Sequence, residues 1–179
     1  MRRLITRHQP LFPCACWFKA GLGGGLGIAL VAWLAQVSGQ PFLIAPLGAS
    51  AVLLYAAPSS PLAQPANVVG GHVLAAVVSL ILRDLLPMDW WSVGLAVGVV
   101  MGLMVALRLT HPPAGADPIV VFMTDPGSAF LFAPILGGSL LLVALAFVLH
   151  RLPPRTAYPL SAAPPPPDGL PTEPIDDVV

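Results

Sequence analysis

Charged side chains are scarce in this sequence. They make up 9% of its 179 residues, against roughly 25% in an ordinary soluble domain, whereas hydrophobic residues make up 56%. Between Phe18 and His150 the chain carries only seven charged residues. A water-soluble enzyme is therefore excluded, and the composition indicates a protein embedded in a lipid bilayer.

Basic clusters, cysteine pairs and metal-ligand patterns are also lacking. The chain has a single lysine and a formal net charge of zero, so we expect no nucleic-acid partner. Cys14 and Cys16 are the only cysteines, and the four histidines are scattered without metal-ligand spacing. We therefore expect no disulfide framework, no metal and no cofactor.

Motifs for catalysis and nucleotide binding are missing as well. No glycine-rich phosphate loop ends in lysine, which excludes a primary pump. No set of serine, histidine and aspartate can be assigned to one depth of the membrane, so we expect the protein not to be an enzyme.

Long apolar runs dominate what is present. Four runs are long enough to cross about 30 Å of hydrocarbon as helices: Phe18 to Val37, Asn67 to Leu86, Trp90 to Leu109 and Phe130 to Leu149. Two shorter runs, Phe42 to Ala57 and His111 to Thr124, are interrupted by proline and glycine. The sequence predicts an all-α polytopic membrane protein with about six membrane segments.

Composition divides the chain into three parts. Residues 1–17 form a basic N-terminus, residues 18–150 form the transmembrane domain, and residues 151–179 are rich in proline and predict a disordered tail. The arginines and the lysine near the ends of the spans place both termini in the cytoplasm. We expect a multi-pass protein of the inner (plasma) membrane.

The transmembrane domain contains an internal repeat with an offset of 67 residues. Pro46 aligns with Pro113, Gly48 with Gly115 and Ser50 with Asp117. The repeat halves are residues 18–86 and 87–150. If the interrupted segments cross the membrane, the halves are inverted, and if they re-enter, the halves are parallel; we predict the inverted arrangement.

Each interrupted segment has the pattern of a short helix with a capped N-terminus. Asp117 precedes Pro118, and Ser50 occupies the equivalent position, so we predict helices from Ala51 to Ala57 and from Pro118 to Thr124 after an extended Pro-x-Gly-Ala stretch. Two such N-termini facing one cavity would bind a small anion. The alternative is that proline and glycine only kink two packed helices.

Three stretches together resemble a known family. They are Thr110 to Ala116 (THPPAGA), Ala45 to Ala51 (APLGASA) and Pro58 to His72, and the chain from Lys19 to Leu149 is similar to the HPP family of integral membrane proteins, named for its His-Pro-Pro motif. The resemblance implies a small multi-span protein of transporter type, with nitrite as the suggested substrate. The family's motif residues carried onto this chain are His111, Pro112 and Pro113, with Pro46, Gly48, Pro65, Asn67, Gly70 and Gly71 in the other stretches.

From these patterns we predict a substrate-binding site without catalytic residues. Its members are Pro46, Gly48, Ser50, His111, Pro112, Pro113, Gly115 and Asp117. Asp117 and His111 are also the candidates for proton coupling, since ionisable groups inside a membrane are expensive to keep there. Each has a structural alternative, Asp117 as a helix cap and His111 as a hydrogen-bonding residue that holds its loop. His72 is interpreted as a core histidine.

The predicted function is a secondary transporter or channel for a small inorganic anion. One form of this prediction couples anion transport to proton movement. Because 179 residues leave little protein around a pore, we expect a homo-oligomer in the lipid bilayer. The alternative is a non-transporting membrane scaffold or assembly subunit, in which Asp117, His111 and Gly48 matter only for stability.

Overall fold

The computed structural model describes Leu11 and residues 13–161, and the regular secondary structure in this part of the chain is entirely helical, without strands. Six helices follow one another: α1 (Cys14–Ser38), α2 (Ala45–Ala56), α3 (Pro65–Leu85), α4 (Trp90–Ala106), α5 (Asp117–Thr124) and α6 (Leu131–Arg151). Two 3₁₀ turns, Pro61–Ala63 and Pro112–Ala116, precede α3 and α5. The predicted all-α fold is confirmed.

Three of the helices are long and apolar enough to cross a membrane. They are α1, α3 and α6, of 25, 21 and 21 residues. The predicted span from Trp90 to Leu109 is a shorter helix of 17 residues, about 25 Å long at 1.5 Å per residue. The protein is therefore a multi-pass membrane protein, while crossing by all six segments stays a prediction.

Helix α6 begins with two wider turns. Residues Leu131–Gly138 are π-helical and contain Pro134, which has no N–H to donate and whose ring clashes with the carbonyl of the preceding turn. A π-helical turn relieves this clash without ending the helix. The regular α-helical part then runs from Ser139 to Arg151.

The main core joins α1, α2 and α6 around Tyr55. The hydroxyl of Tyr55 donates to the carbonyl oxygen of Leu142 at 3.0 Å. A Cβ added at Gly23 or Gly27 would lie 2.9–3.1 Å from atoms of Tyr55, so glycine at both positions lets α1 approach the ring. In lipid, where apolar burial drives helix association only weakly, such close packing of small residues holds helices together.

Side-chain contacts fix the relative directions of the helices. Leu47 packs at Gly138 and the carbonyl of Leu54 accepts from His150, so α2 runs parallel to α6. His72 contacts Asp117, and Arg83 contacts Asp125 at 3.1 Å, so α5 runs parallel to α3.

The segment after α6 packs back on the loop between α2 and α3. Tyr158 is buried and donates to the carbonyl of Ala63 at 3.1 Å, and the backbone N–H of Leu160 donates to Gln64. Lys19 of α1 donates to the carbonyls of Leu152 and Pro154. The beginning of the predicted disordered tail is thus attached to the protein.

Much of the predicted terminal regions lies outside the described residues. This applies to residues 1–10 and 12 of the predicted N-terminal region and to residues 162–179 of the predicted tail. Within the described part, α1 begins at Cys14, four residues before the predicted first span.

We expect Tyr158→Phe to lower the midpoint of thermal unfolding in detergent. Burial raises the pKa of Tyr158 to about 12, so the hydroxyl stays protonated at neutral pH and can donate to Ala63. Loss of this bond costs about 1 kcal/mol, and trypsin should then cut faster after Arg155. An unchanged midpoint and an unchanged cleavage rate would contradict the packing of this segment.

Candidate functional site

Four polar side chains meet inside the membrane domain. They are Ser50 on α2, His72 on α3, His111 just before the Pro112–Ala116 turn, and Asp117 at the start of α5. Each is 0% exposed. Buried polar groups are costly unless they bond to one another, so these four side chains form one unit, which we call the polar cluster.

The polar cluster is a continuous chain of hydrogen bonds. Asp117 Oδ2 lies 2.7 Å from His72 Nδ1, and His72 Nε2 lies 2.8 Å from Ser50 Oγ. Ser50 Oγ lies 2.8 Å from His111 Nε2 as well. At its far end, His111 Nδ1 donates to the carbonyl oxygen of Leu62 at 2.8 Å.

Two glycines of α3 allow the loop before the Pro112–Ala116 turn to approach. A Cβ added at Gly71 would lie 2.8 Å from His111 Cβ and 2.9 Å from the backbone oxygen of Leu109. Gly70 faces the side chain of Leu109. Asn67, one turn earlier, donates to the carbonyl of Thr110 at 3.0 Å. These contacts position His111 against Ser50.

The loop between α2 and α3 supports the other end of the polar cluster. Gln64 donates through Nε2 to the carbonyls of Pro58 and Ser60, at 3.0 and 2.8 Å. This fixes the loop that presents the carbonyl of Leu62 to His111.

The predicted helix caps are wrong. Helix α2 begins at Ala45, so Ser50 lies inside it, with its Oγ 3.1 Å from the carbonyl oxygen of Pro46. Asp117 is the first residue of α5 and makes no cap bond. Proline is tolerated in the first turn of a helix, where N–H groups lack intrahelical partners, so Pro46 starts a helix instead of an extended stretch. The segment Pro112–Ala116 is likewise a 3₁₀ turn.

Five other predicted site residues lie around the polar cluster or away from it. Pro46 contributes its carbonyl, Pro113 is buried, and Pro112 is exposed. Gly115 is half-buried, with open space around it. Gly48 lines a groove of about 340 Å³ between α1 and α2, outside the cluster.

His72 is the member of the polar cluster that sequence reasoning missed. Interpreted as a core histidine, it contacts both Ser50 and Asp117, which the predicted repeat aligns with each other. The sequence feature that could have identified His72 is its position directly after Gly70 and Gly71, where a neighbouring segment can approach the helix closely.

Ser50, His72 and Asp117 have the connectivity of a Ser-His-Asp triad, so the prediction that no such arrangement shares one depth is wrong. Its surroundings do not favour acyl transfer, however. The hydroxyl of Ser50 is fully buried, lies inside a helix and contacts a second histidine. Within residues 13–161, no group of three or more His, Cys, Asp or Glu side chains is arranged to hold a metal. The arrangement favours the sharing of protons.

A family model described as HPP, transmembrane region, matches residues 9–159. The chain belongs to the HPP transmembrane family. This confirms the resemblance noted from the sequence, and His111 of the His-Pro-Pro motif is a member of the polar cluster.

Two relatives in Dictyostelium discoideum are described only as transmembrane proteins. One is 35% identical over 150 residues, covering 79% of this chain and 53% of the relative. The other is 33% identical over 153 residues, covering 80% of this chain and 49% of the relative. The chain thus spans about half the length of the relatives it matches. No solved structure matches it.

We expect Gly71→Ala to destabilise the protein by about 1–3 kcal/mol, the usual cost of overpacking, because the new methyl group collides with backbone at Leu109 and with His111. Gly25→Ala is the matched control, since a Cβ there meets nothing within 4 Å and alanine favours the helix. The measurement is the midpoint of thermal unfolding in detergent. Equal midpoints for both variants would contradict the close approach at Gly71.

Proposed function

We propose that this HPP family protein is a secondary transporter of a small inorganic anion, coupled to proton movement, with nitrite as the first candidate. The observation that carries the proposal is the polar cluster. Ionisable side chains inside a membrane domain are expensive and typically belong to a substrate or proton pathway. Here three of them are connected through one serine.

The directions of the helices support two inverted halves. Helices α1 and α6 are antiparallel, with Gly23 near Leu149 and Gly27 near Leu142, and α2 is parallel to α6 as α5 is to α3. The six segments then alternate in direction, up-down-up followed by down-up-down. Inverted repeats with a site at their interface are typical of secondary transporters.

The position of the polar cluster fits such an interface. Ser50 and Asp117 are equivalent in the repeat, and both contact His72. Equivalent residues that lie close together must lie near the axis that relates the two halves. In an inverted repeat this axis runs in the membrane plane, near the depth at which transporters bind their substrates.

The two ends of the helix bundle differ in charge. One end carries four cations and no carboxylate among the described residues: Lys19, Arg108, Arg151 and Arg155. The other end carries Arg83 with Asp84, Asp89 and Asp125. The positive-inside tendency supports a cytoplasmic location for the first end, in keeping with the proposal that both termini are cytoplasmic in an inner (plasma) membrane. The same cations would raise the local concentration of an anion.

Complete burial of the polar cluster favours a carrier over an open pore. All four side chains are shielded from solvent, as in an occluded state between two access states. A free carboxylate at Asp117 would repel an anion, so protonation of the cluster is a means of admitting anion and proton together.

A homo-oligomer remains part of the proposal. Gly94, Gly98 and Gly102 form an exposed ridge on α4, with nothing within 4 Å of an added Cβ. Such ridges allow close helix packing in lipid, so this face suits a second copy of the chain.

We expect saturable nitrite uptake into proteoliposomes that hold the full chain, driven by a lumen more alkaline than the outside. Asp117→Asn and His111→Ala should each reduce uptake at least tenfold, because neither variant retains the complete proton relay. Nitrate, formate and chloride serve as competing anions.

Matched controls separate this loss from unfolding. Asp125→Asn removes a carboxylate that is 65% exposed and paired with Arg83, and His150→Gln removes a buried histidine outside the cluster. Both should keep most of the uptake. No flux above empty vesicles for any anion would overturn transport and support the scaffold alternative.

Single cysteines at Ser60 and Asp125, in a variant without Cys14 and Cys16, test the topology. We expect a membrane-impermeant thiol reagent to label these two positions from opposite sides of the membrane, since they lie in loops at opposite ends of the bundle. Labelling from the same side would overturn the six-crossing arrangement.

A further inference from the structure

The polar cluster has more hydrogen-bond contacts than hydrogens to fill them. Four contacts of 2.7–2.8 Å join Asp117, His72, Ser50, His111 and the carbonyl of Leu62. Each needs one hydrogen between its two heavy atoms. Ionised Asp117, the Ser50 hydroxyl and two neutral imidazoles supply three hydrogens, so one contact would bring two lone pairs together.

The carbonyl of Leu62, at one end of the polar cluster, determines which contact lacks a hydrogen. Because a carbonyl can only accept, His111 must carry its hydrogen on Nδ1. If His72 is neutral and bonded to ionised Asp117, its hydrogen is on Nδ1 too. Both Nε2 atoms then face the single hydroxyl hydrogen of Ser50, which can serve only one of them.

One added proton completes the series of four hydrogen bonds. Placed on the His72–Asp117 pair, it gives His72 an Nε2–H that donates to Ser50, and Ser50 in turn donates to His111. Placed on His111, it reverses the direction of both bonds. In either arrangement all four contacts are filled, and one of the two Nε2 atoms carries a hydrogen.

The net charge of the polar cluster also favours one added proton. Without the added proton the polar cluster carries one negative charge in a fully buried place, and with it the cluster is neutral. A second added proton would allow Ser50 to donate to Pro46, at the longer distance of 3.1 Å, but would leave one positive charge buried. Buried net charge is strongly unfavourable.

We infer that the polar cluster is a binding site for one proton, shared by Asp117, His72 and His111 through Ser50. As the coupling site of the transporter it rests on the function proposed above, whereas the proton number rests on the hydrogen-bond geometry and the burial of the polar cluster. Release of the proton to water breaks one of the two contacts of Ser50 and frees α2 from a histidine. Ser50 is thus a positioning residue that makes two histidines titrate as one.

The helices around the polar cluster supply no competing charge at its depth. Helices α2 and α4 contain no Asp, Glu, Lys, Arg or His. On α3 and α5 the other charged side chains, Arg83, Asp84 and Asp125, lie at or just beyond the far ends, and on α6 His150 and Arg151 lie in the last turn. Arg108 is exposed, three residues before His111.

The test is histidine ¹⁵N NMR of the full chain in lipid vesicles, where protonated and unprotonated ring nitrogens have distinct shifts. Variants at His8 and His150 assign the other two histidines. We expect, near neutral pH, one protonated Nε2 in total over His72 and His111. As the pH rises, this number should fall to zero in a single one-proton step. Zero or two protonated Nε2 atoms at neutral pH would overturn the inference.

Asp117→Asn is an independent test of the number of added protons. The side-chain amide of the asparagine can donate to His72 Nδ1 without any added proton. The variant should keep one protonated Nε2 at every pH at which it is folded, while Asp125→Asn should titrate like the wild type. A one-proton step that persists in Asp117→Asn would contradict a shared site that includes Asp117.

Ser50→Ala removes the bridge, so His72 and His111 should titrate separately, and Ser50→Thr should restore a single step. Ser79→Ala is the matched control, because Ser79 is a buried serine of α3 that bonds only to the backbone of Ala75. Single-step titration in a folded Ser50→Ala variant would refute the bridging role. If vesicles show no anion flux but the proton number is one, the transport proposal fails and the proton site stands.

Discussion

One hydroxyl between two imidazoles is the constraint on which this structure depends. Ser50 Oγ lies 2.8 Å from a ring nitrogen of His72 and 2.8 Å from one of His111, with no solvent to complete the set. In a low-dielectric interior each of these groups is costly to leave unpaired. The contacts therefore join α2, α3 and the start of α5 into one unit. Any change in the number of bound protons changes the hydrogen bonds among these three segments.

Small residues make this unit possible. Gly71 brings the loop at Leu109 within reach of α3, and Gly27 brings α1 against Tyr55. A methyl group at either position would push apart segments whose polar groups must stay within hydrogen-bond distance. Close packing and hydrogen bonding thus stabilise the same helix contacts. Both matter in lipid, because burial of apolar surface alone contributes little to helix association there.

The His-Pro-Pro motif acquires a physical meaning from this arrangement. His111 is extended, with φ −136° and ψ 102°, as expected for a residue before proline. Pro112 then starts the 3₁₀ turn, and α5 begins directly after it with Asp117. The motif places a histidine and a carboxylate six residues apart along the chain and connects them through His72 and Ser50.

The sequence by itself determined the membrane class, the family and the helical content, and it singled out Ser50, His111 and Asp117 as candidates, because low charge, apolar run length and the HPP motif are local properties of the chain. It misplaced the start of α2 and the roles of Ser50 and Asp117 as caps, since a proline in a first turn reads equally well as a helix start or a break. Only the tertiary structure decided that His72 joins the other three. That contact links positions 22 and 45 residues apart along the chain, and no local pattern encodes which buried polar groups will find each other.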